Sequence, residues 1–248
     1  MTKTMKKLSG LAAVLLVAAA CHPFRAALYE DDLALPLAED QADTLFFSVS
    51  LEYAKKGLPQ EVLDQMNGTI LTQAFDLEDA PGTVEETAVR YRENLIDEYL
   101  LENGAPEKEG IRTWEDHLEG SFTEDYRHWK NYLLSYYSFR GGAHGIQTLS
   151  QIVFDKNTGI PLTEADLFAD GYTQPVAALM QEQVRNTMQA DDPELAELVE
   201  LEAIVPNGNF SVGKDGIQWL FQPYEAGPYA LGIITAALSW EQVKPYLK

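Results

Sequence analysis

Leu45, Phe47, Val49, Leu51 and Tyr53 recur at every second position, the period of a strand with one buried face. Past Gly57 and Pro59 the period changes. Val62, Leu63, Met66, Ile70, Leu71, Ala74 and Phe75 fall three and four apart, which predicts an amphipathic helix. Pro81 and Gly82 interrupt the chain, and Thr83 with Glu86 spells a capping box for a second helix. Val84, Ala88, Tyr91, Leu95 and Tyr99 form its apolar stripe, and Asn103-Gly104 predicts its end.

From residue 113 the pattern turns to β. Residues 114–126, 132–140 and 146–154 read as strands, the last two rich in Tyr, Leu, Ile, Val and Phe. Gly141-Gly142-Ala143-His144-Gly145 joins them as a hairpin connection, and residues 155–159 make another turn. A short helix is expected over 163–168. Tyr172, Val176, Leu179, Met180 and Val184 mark a longer one, and Asp192-Pro193 starts a further helix, with Asp192 as its cap. Residues 210–212, 217–221 and 232–238 read as strands, and Ser239 with Gln242 caps a last short helix. Helices and antiparallel strands mix without strict βαβ alternation, so the predicted class is α+β. The expected organisation is a signal segment at 1–20, an acidic tether at 21–43, and α+β halves at 44–154 and 155–248.

The front end is different in kind. Lys3, Lys6 and Lys7 precede an apolar run from Leu8 that ends Ala18-Ala19-Ala20-Cys21. A positive start, a short apolar stretch and small residues before a cut describe a bacterial secretion signal. The run is shorter than the ~20 residues a membrane-spanning helix needs. Cys21 is the chain's single cysteine, so an internal disulfide is excluded. Its position resembles a lipobox, with Ala18 where Leu is usual. That predicts lipidation of Cys21, an anchor in the cell envelope, and a periplasm-facing or surface location. Beyond it, Glu30, Asp31, Asp32, Glu39, Asp40 and Asp43, with Pro23 and Pro36, suggest a solvated tether; a short strand within 34–37 is allowed.

Charge narrows the partners. The chain of 248 residues carries 39 acids against 18 Lys and Arg, a formal charge of −21. Removing the three signal lysines would bring it to −24. Such a field repels phosphate, so nucleic acid is not an expected partner, whereas cationic proteins are attracted.

Candidate chemistry is sparse. His144 sits among glycines, where backbone can approach a ligand; the loop is either a binding loop with His144 and Gly142 or a plain hairpin whose glycines supply positive φ. Tyr224 and Tyr229, with Pro223, Gly227 and Pro228, form either an aromatic sugar platform or a rigid turn. His22, His117 and His128 lack zinc-ligand spacing, and residues 155–159 read as a turn rather than a calcium loop, so no metal or cofactor is expected. No Gly-x-Ser-x-Gly elbow occurs, so no catalytic residue is assigned.

Three segments carry a resemblance. They are the Tyr-rich strand into residues 141–145; Phe154-Asp155-Lys156-Asn157-Thr158-Gly159-Ile160-Pro161-Leu162-Thr163 with Asp166-Leu167-Phe168; and Asn209-Phe210, Gly216-Ile217-Gln218-Trp219 and the run from Phe221 to Gly232. In order and spacing these resemble the extracytoplasmic domain of RsiV-type anti-sigma factors. The same domain precedes the catalytic domain of PdaC-type peptidoglycan deacetylases and occurs in bacterial lipoproteins. The resemblance implies two tightly associated α+β halves and a binding module, which in the RsiV branch binds lysozyme. It points to a non-catalytic envelope protein that binds a cationic lysozyme-like protein or a cell-wall glycan. The rival expectation is an enzyme, or an enzyme accessory, acting on peptidoglycan or another envelope glycan.

Overall fold

The computed structural model describes residues 23–37, 43–79, 82–105, 110–191 and 193–248. The signal segment, Cys21, His22 and the proposed Asp192 cap lie outside the described residues. The fold is α+β, built on a mixed five-stranded sheet and a three-stranded antiparallel sheet.

The first sheet runs β1 (Arg25–Pro36), β2 (Thr44–Lys56), β3 (Trp114–Tyr126), β4 (Trp129–Phe139), β5 (Ile146–Asp155), in that spatial order. All neighbours are antiparallel except β2 and β3. That parallel pair departs from the antiparallel expectation. The chain between the two strands forms α1 (Gln60–Ala74) and α2 (Val84–Asn103), and this helical excursion returns β3 in the direction of β2.

The alternation of β2 determines the core. Leu45, Phe47, Val49 and Leu51 are buried and meet Val62, Leu63, Met66 and Ile70 of α1 and Ala88, Leu95 and Tyr99 of α2. Fully burying a side chain of this size is worth about 1.5–3 kcal/mol. The Thr83–Glu86 capping box is formed in both directions, so α2 starts where its sequence predicts.

The expected acidic tether at 21–43 is overturned for most of its length: Arg25–Pro36 is a full edge strand paired along β2. Its alternation is hidden by charge. Tyr29, Leu33 and Leu35 pack on the core. Glu30 and Asp32 point outward, and the inward Asp31 is neutralised by Arg92 at 2.6 Å.

The C-terminal part holds α3 (Glu164–Leu167), α4 (Thr173–Asp191), α5 (Pro193–Ala196), β6 (Phe210–Val212), β7 (Gly216–Phe221), β8 (Ile234–Ser239) and α6 (Trp240–Val243). Val176, Met180 and Val184 of α4 pack with Trp219, Phe221, Ala236 and Leu238 of the small sheet. Trp129 and Val153 of the large sheet join this second core. Asn131 stitches the two together, donating to the Val212 carbonyl at 2.8 Å and accepting from the Val212 N–H at 3.0 Å. Buried Glu164 accepts from the Trp219 indole, the Gly208 N–H and the Tyr172 hydroxyl, so its carboxylate is fully used inside the fold.

Candidate functional site

The hairpin between β4 and β5 builds one end of the large sheet. Gly141 and Gly142 have φ of +86° and +101°, as a tight connection of this kind requires. Gly145 serves a different need from the positive φ expected of it. A Cβ there would run into the Tyr137 ring, so glycine permits close approach.

His144 is exposed, and its ring stacks on Tyr229 with centroids 4.0 Å apart at 21°. The Tyr229 hydroxyl donates to the Gly145 carbonyl at 2.9 Å. His144 Nδ1 lies 2.9 Å from the same oxygen, which selects the tautomer protonated on Nδ1. Tyr224 completes the row, its ring 5.7 Å from that of Tyr229. Tyr224 is 61% exposed and sits at φ +71°, a left-handed backbone that disfavours aromatic residues. The turn is fixed beneath it: Glu225 accepts from the Gln222 N–H at 2.7 Å and from the Asn207 amide at 2.8 Å. Three residues singled out in the sequence, His144, Tyr224 and Tyr229, therefore stand together, and Gly142 of the same hairpin is open, since a Cβ there would meet nothing within 4 Å.

Next to this row the outer face of the sheet is acidic. Register places Glu30 and Asp32 of β1, Glu52 of β2, and Glu115 and Glu119 of β3 on the same side as Ser48, His117 and Tyr137. His117 accepts from or donates to Ser48 Oγ at 2.8 Å, stacks against Tyr137 at 5.9 Å, and lies 3.8 Å from Glu115. Arg140, at the end of this face, turns inward to Asp116.

Asp116 is the buried carboxylate that sequence reading missed. It is 0% exposed, held by the Arg140 guanidinium, and accepts from the Tyr136 hydroxyl at 2.7 Å and the Tyr91 hydroxyl at 3.3 Å. Burial works against the Arg140 charge, but Asp116 outweighs it and pushes the guanidinium pKa up. Burial, then Asp116, pushes the Tyr91 and Tyr136 phenols up as well. A cavity of about 410 Å³ opens beside them, its lining including Phe75, Asp76, Tyr91, Tyr136, Thr148 and Ser150. With both tyrosines and the arginine engaged, Asp116 serves as a structural counter-ion. Among the described residues no group of three or more His, Cys, Asp or Glu is placed to hold a metal ion.

Asn209 and Gln222, both in the third motif, work as structure. Asn209 donates to the Leu149 carbonyl at 2.9 Å and accepts from the Gln151 N–H at 2.8 Å. With Gln222, which pairs with Leu149, it closes the free edge of β5 with side-chain amides. The sequence signal was two amides flanking the small strands, without any indication of their distant partner.

Residues 165–241 match the model of a family described as a protein of unknown function, DUF3298. A solved structure of a DUF3298 family member from Bacteroides fragilis superposes with a TM-score of 0.82 at 18% identity, covering 92% of this chain and 95% of the other. A DUF3298 family protein from Pseudomonas aeruginosa gives 0.62 at 16% identity, covering 92% and 96%. These likenesses show that the fold is shared across nearly the whole length of both chains. No curated protein matches the sequence.

Proposed function

We propose that the chain is a bacterial envelope lipoprotein, anchored through Cys21, whose folded part is a non-catalytic module that binds a cationic protein of the lysozyme kind. The observation that carries this reading is the His144–Tyr229–Tyr224 row. It offers aromatic surface on a rigid base, with Tyr224 held at φ +71° where the fold alone gains nothing from a tyrosine. The carboxylates on the adjoining face supply charge complementarity for a basic partner and steer its approach. The resemblance to the RsiV-type domain supports the same partner class. Asp116, buried and held by Arg140 and two tyrosines, is committed to the fold rather than to a ligand.

The test is a titration of the soluble chain with hen lysozyme and with an unrelated basic protein of similar charge, at low and at physiological salt. Binding of lysozyme in preference to the control, weakened several-fold by Tyr224→Ala, is expected. Equal binding of both proteins, abolished by salt, would leave only a diffuse field. Turnover of muropeptides or of acetylated glycan without protein binding would establish the enzyme reading instead.

A further inference from the structure

The strand directions bring five chain segments to the sheet end opposite the His144 row: the start of β1, the ends of β2, β3 and β5, and the start of β4. In a chain this acidic, that end is basic. Arg25, Lys55, Lys56, Arg127, Lys130 and Lys156 gather there, with Arg25 and Lys56 as register partners. The carboxylates at this end are Asp125, Asp155, Glu124, Asp215 beside Glu124 on the β6–β7 turn, where it faces Lys214 at 3.9 Å, Glu52, which accepts from the Phe122 N–H at 2.8 Å, and, in the first turn of α1, Glu61. Lys130 and Lys156 share Asp125, at 2.7 and 3.1 Å. Arg25, Lys55, Lys56 and Arg127 are exposed and form no salt bridge among the described residues. Around the rest of the large sheet three arginines are paired: Arg92 of α2, Arg112 ahead of β3 and Arg140 just past β4 are each held by a carboxylate, Asp31, Asp43 and Asp116.

Two further features mark this end. Arg127 occupies a two-residue turn at φ +56°, where glycine is the usual choice, and its guanidinium lies 5.0 Å from the Tyr126 ring centre. Tyr126 in turn stacks on Trp240 at 5.2 Å. The chain also enters the fold here. The Phe24 ring packs edge-on against Phe122 at 4.9 Å, and the Phe24 backbone lies so close to Gly57 that a Cβ on Gly57 would clash with it. Three peptide steps separate Cys21 from Phe24, a reach of at most about 11 Å. That is close to the ~8 Å over which charge is felt at physiological ionic strength.

We propose that this basic end docks on the anionic headgroups of the membrane that carries the anchor, orienting the domain so that the His144 row faces away. The proposal rests on the lipoprotein reading above. The short reach replaces a flexible tether with a fixed stance, and the four exposed cations set which end meets the lipid. Along β4, ten residue steps of about 3.3 Å put the aromatic row roughly 30 Å from the bilayer side. Because the remaining surface is acidic, an anionic bilayer disfavours every other orientation.

The test uses the acylated full chain, purified from membranes and reconstituted into phosphatidylcholine vesicles with and without phosphatidylglycerol. Amine acetylation is followed lysine by lysine by mass spectrometry. Slowing of Lys55 and Lys56 by several-fold in phosphatidylglycerol vesicles is expected, reversed by high salt. The exposed triple variant Lys55→Gln/Lys56→Gln/Arg127→Gln, checked for fold by circular dichroism, should lose the lipid dependence read at Lys156. Equal rates in both vesicles, or uniform slowing of every lysine, would overturn the proposal. So would equal protection by a soluble polyphosphate, which would assign the end to a free anionic polymer. Intact mass reports the anchor separately. Where Cys21 is free, a maleimide lipid on that single thiol supplies the anchor, and docking is then measured by itself.

Discussion

The Gln222 side chain pairs with Leu149 as a neighbouring strand would: its Oε1 accepts from the Leu149 N–H at 3.0 Å, and its Nε2 donates to the Leu149 carbonyl at 2.7 Å. A primary amide has the donor and acceptor spacing of a peptide group, so one side chain can complete one rung of a ladder. Asn67 does the same at Ala54, and Asn131 at Val212. Fixing the β5 edge in this way also fixes the turn that carries Tyr224.

Gln222→Ala removes both bonds and leaves the Leu149 N–H to water, while the Leu149 carbonyl keeps its bond from Asn209. A loss of about 1–2 kcal/mol is expected from urea unfolding. Gln222→Glu keeps the acceptor but sets a carboxylate against the Leu149 carbonyl, and should cost at least as much. A stability equal to the parent in both variants would show that the clamp is incidental.

Asp116→Asn tests the counter-ion role. It removes the charge that holds Arg140 while preserving shape, and Arg140 is partly solvated, which moderates the penalty. A destabilisation of about 2–4 kcal/mol is expected, measured by thermal and chemical unfolding. The paired variant Asp116→Leu/Arg140→Met should recover part of it, since neither charge is then left alone.

Stability should fall in acid through identifiable carboxylates. Thr83 holds the Glu86 carboxyl below its usual range, first through its backbone N–H and then through its hydroxyl. Thr163 lowers Asp166 through its hydroxyl and then its backbone. At Asp125 burial opposes the charge, but Lys130 and Lys156 together lower its pKa. Folded pKa values below the unfolded ones mean that the contribution is complete above about pH 4 and is lost as pH falls through the folded values. The variant Glu86→Gln/Asp125→Asn/Asp166→Asn should be less stable at neutral pH, with a flatter decline below pH 4. An unchanged acid slope in urea titrations would refute the assignment.

Tyr224→Asn separates fold from recognition. Asparagine tolerates the left-handed region better than tyrosine does, so stability should hold or rise by up to ~1 kcal/mol. Partner affinity should drop about tenfold, equivalent to 1.4 kcal/mol. Loss of stability together with unchanged affinity would make Tyr224 a packing residue.

Much of the local structure was legible because it is encoded locally. The β2 alternation, the Thr83–Glu86 and Ser239–Gln242 boxes and the glycine hairpin each need only neighbours in sequence, and each forms. The strand β1 was concealed because an inward Asp31 breaks the apolar face, and only Arg92, far along the chain, makes that position tolerable. Asp116 was concealed for the same reason, since its partners come from two other segments, Tyr91 from α2 and Tyr136 and Arg140 from the end of β4. The amide clamps show in sequence only as amides, with nothing to point to the distant strands they close. The nearness of His144 to Tyr224 and Tyr229 follows from how the small sheet closes on β5, a long-range relationship that residue patterns do not contain.

The two edges of the large sheet are guarded by different chemistry, and this has a consequence for handling the protein. Amides at β5 carry no charge, so that edge stays closed whatever the salt. The β1 edge is protected by the outward Glu30 and Asp32 near its centre, where a second copy paired in reverse would meet like charges across a strand spacing of about 4.8 Å. Salt weakens that guard alone, since at 1 M the screening length falls to about 3 Å. Storage or elution at high salt therefore turns a self-repelling molecule into one whose large sheet has a single sticky edge, and the assemblies that form should be edge-to-edge dimers through β1 rather than open fibres.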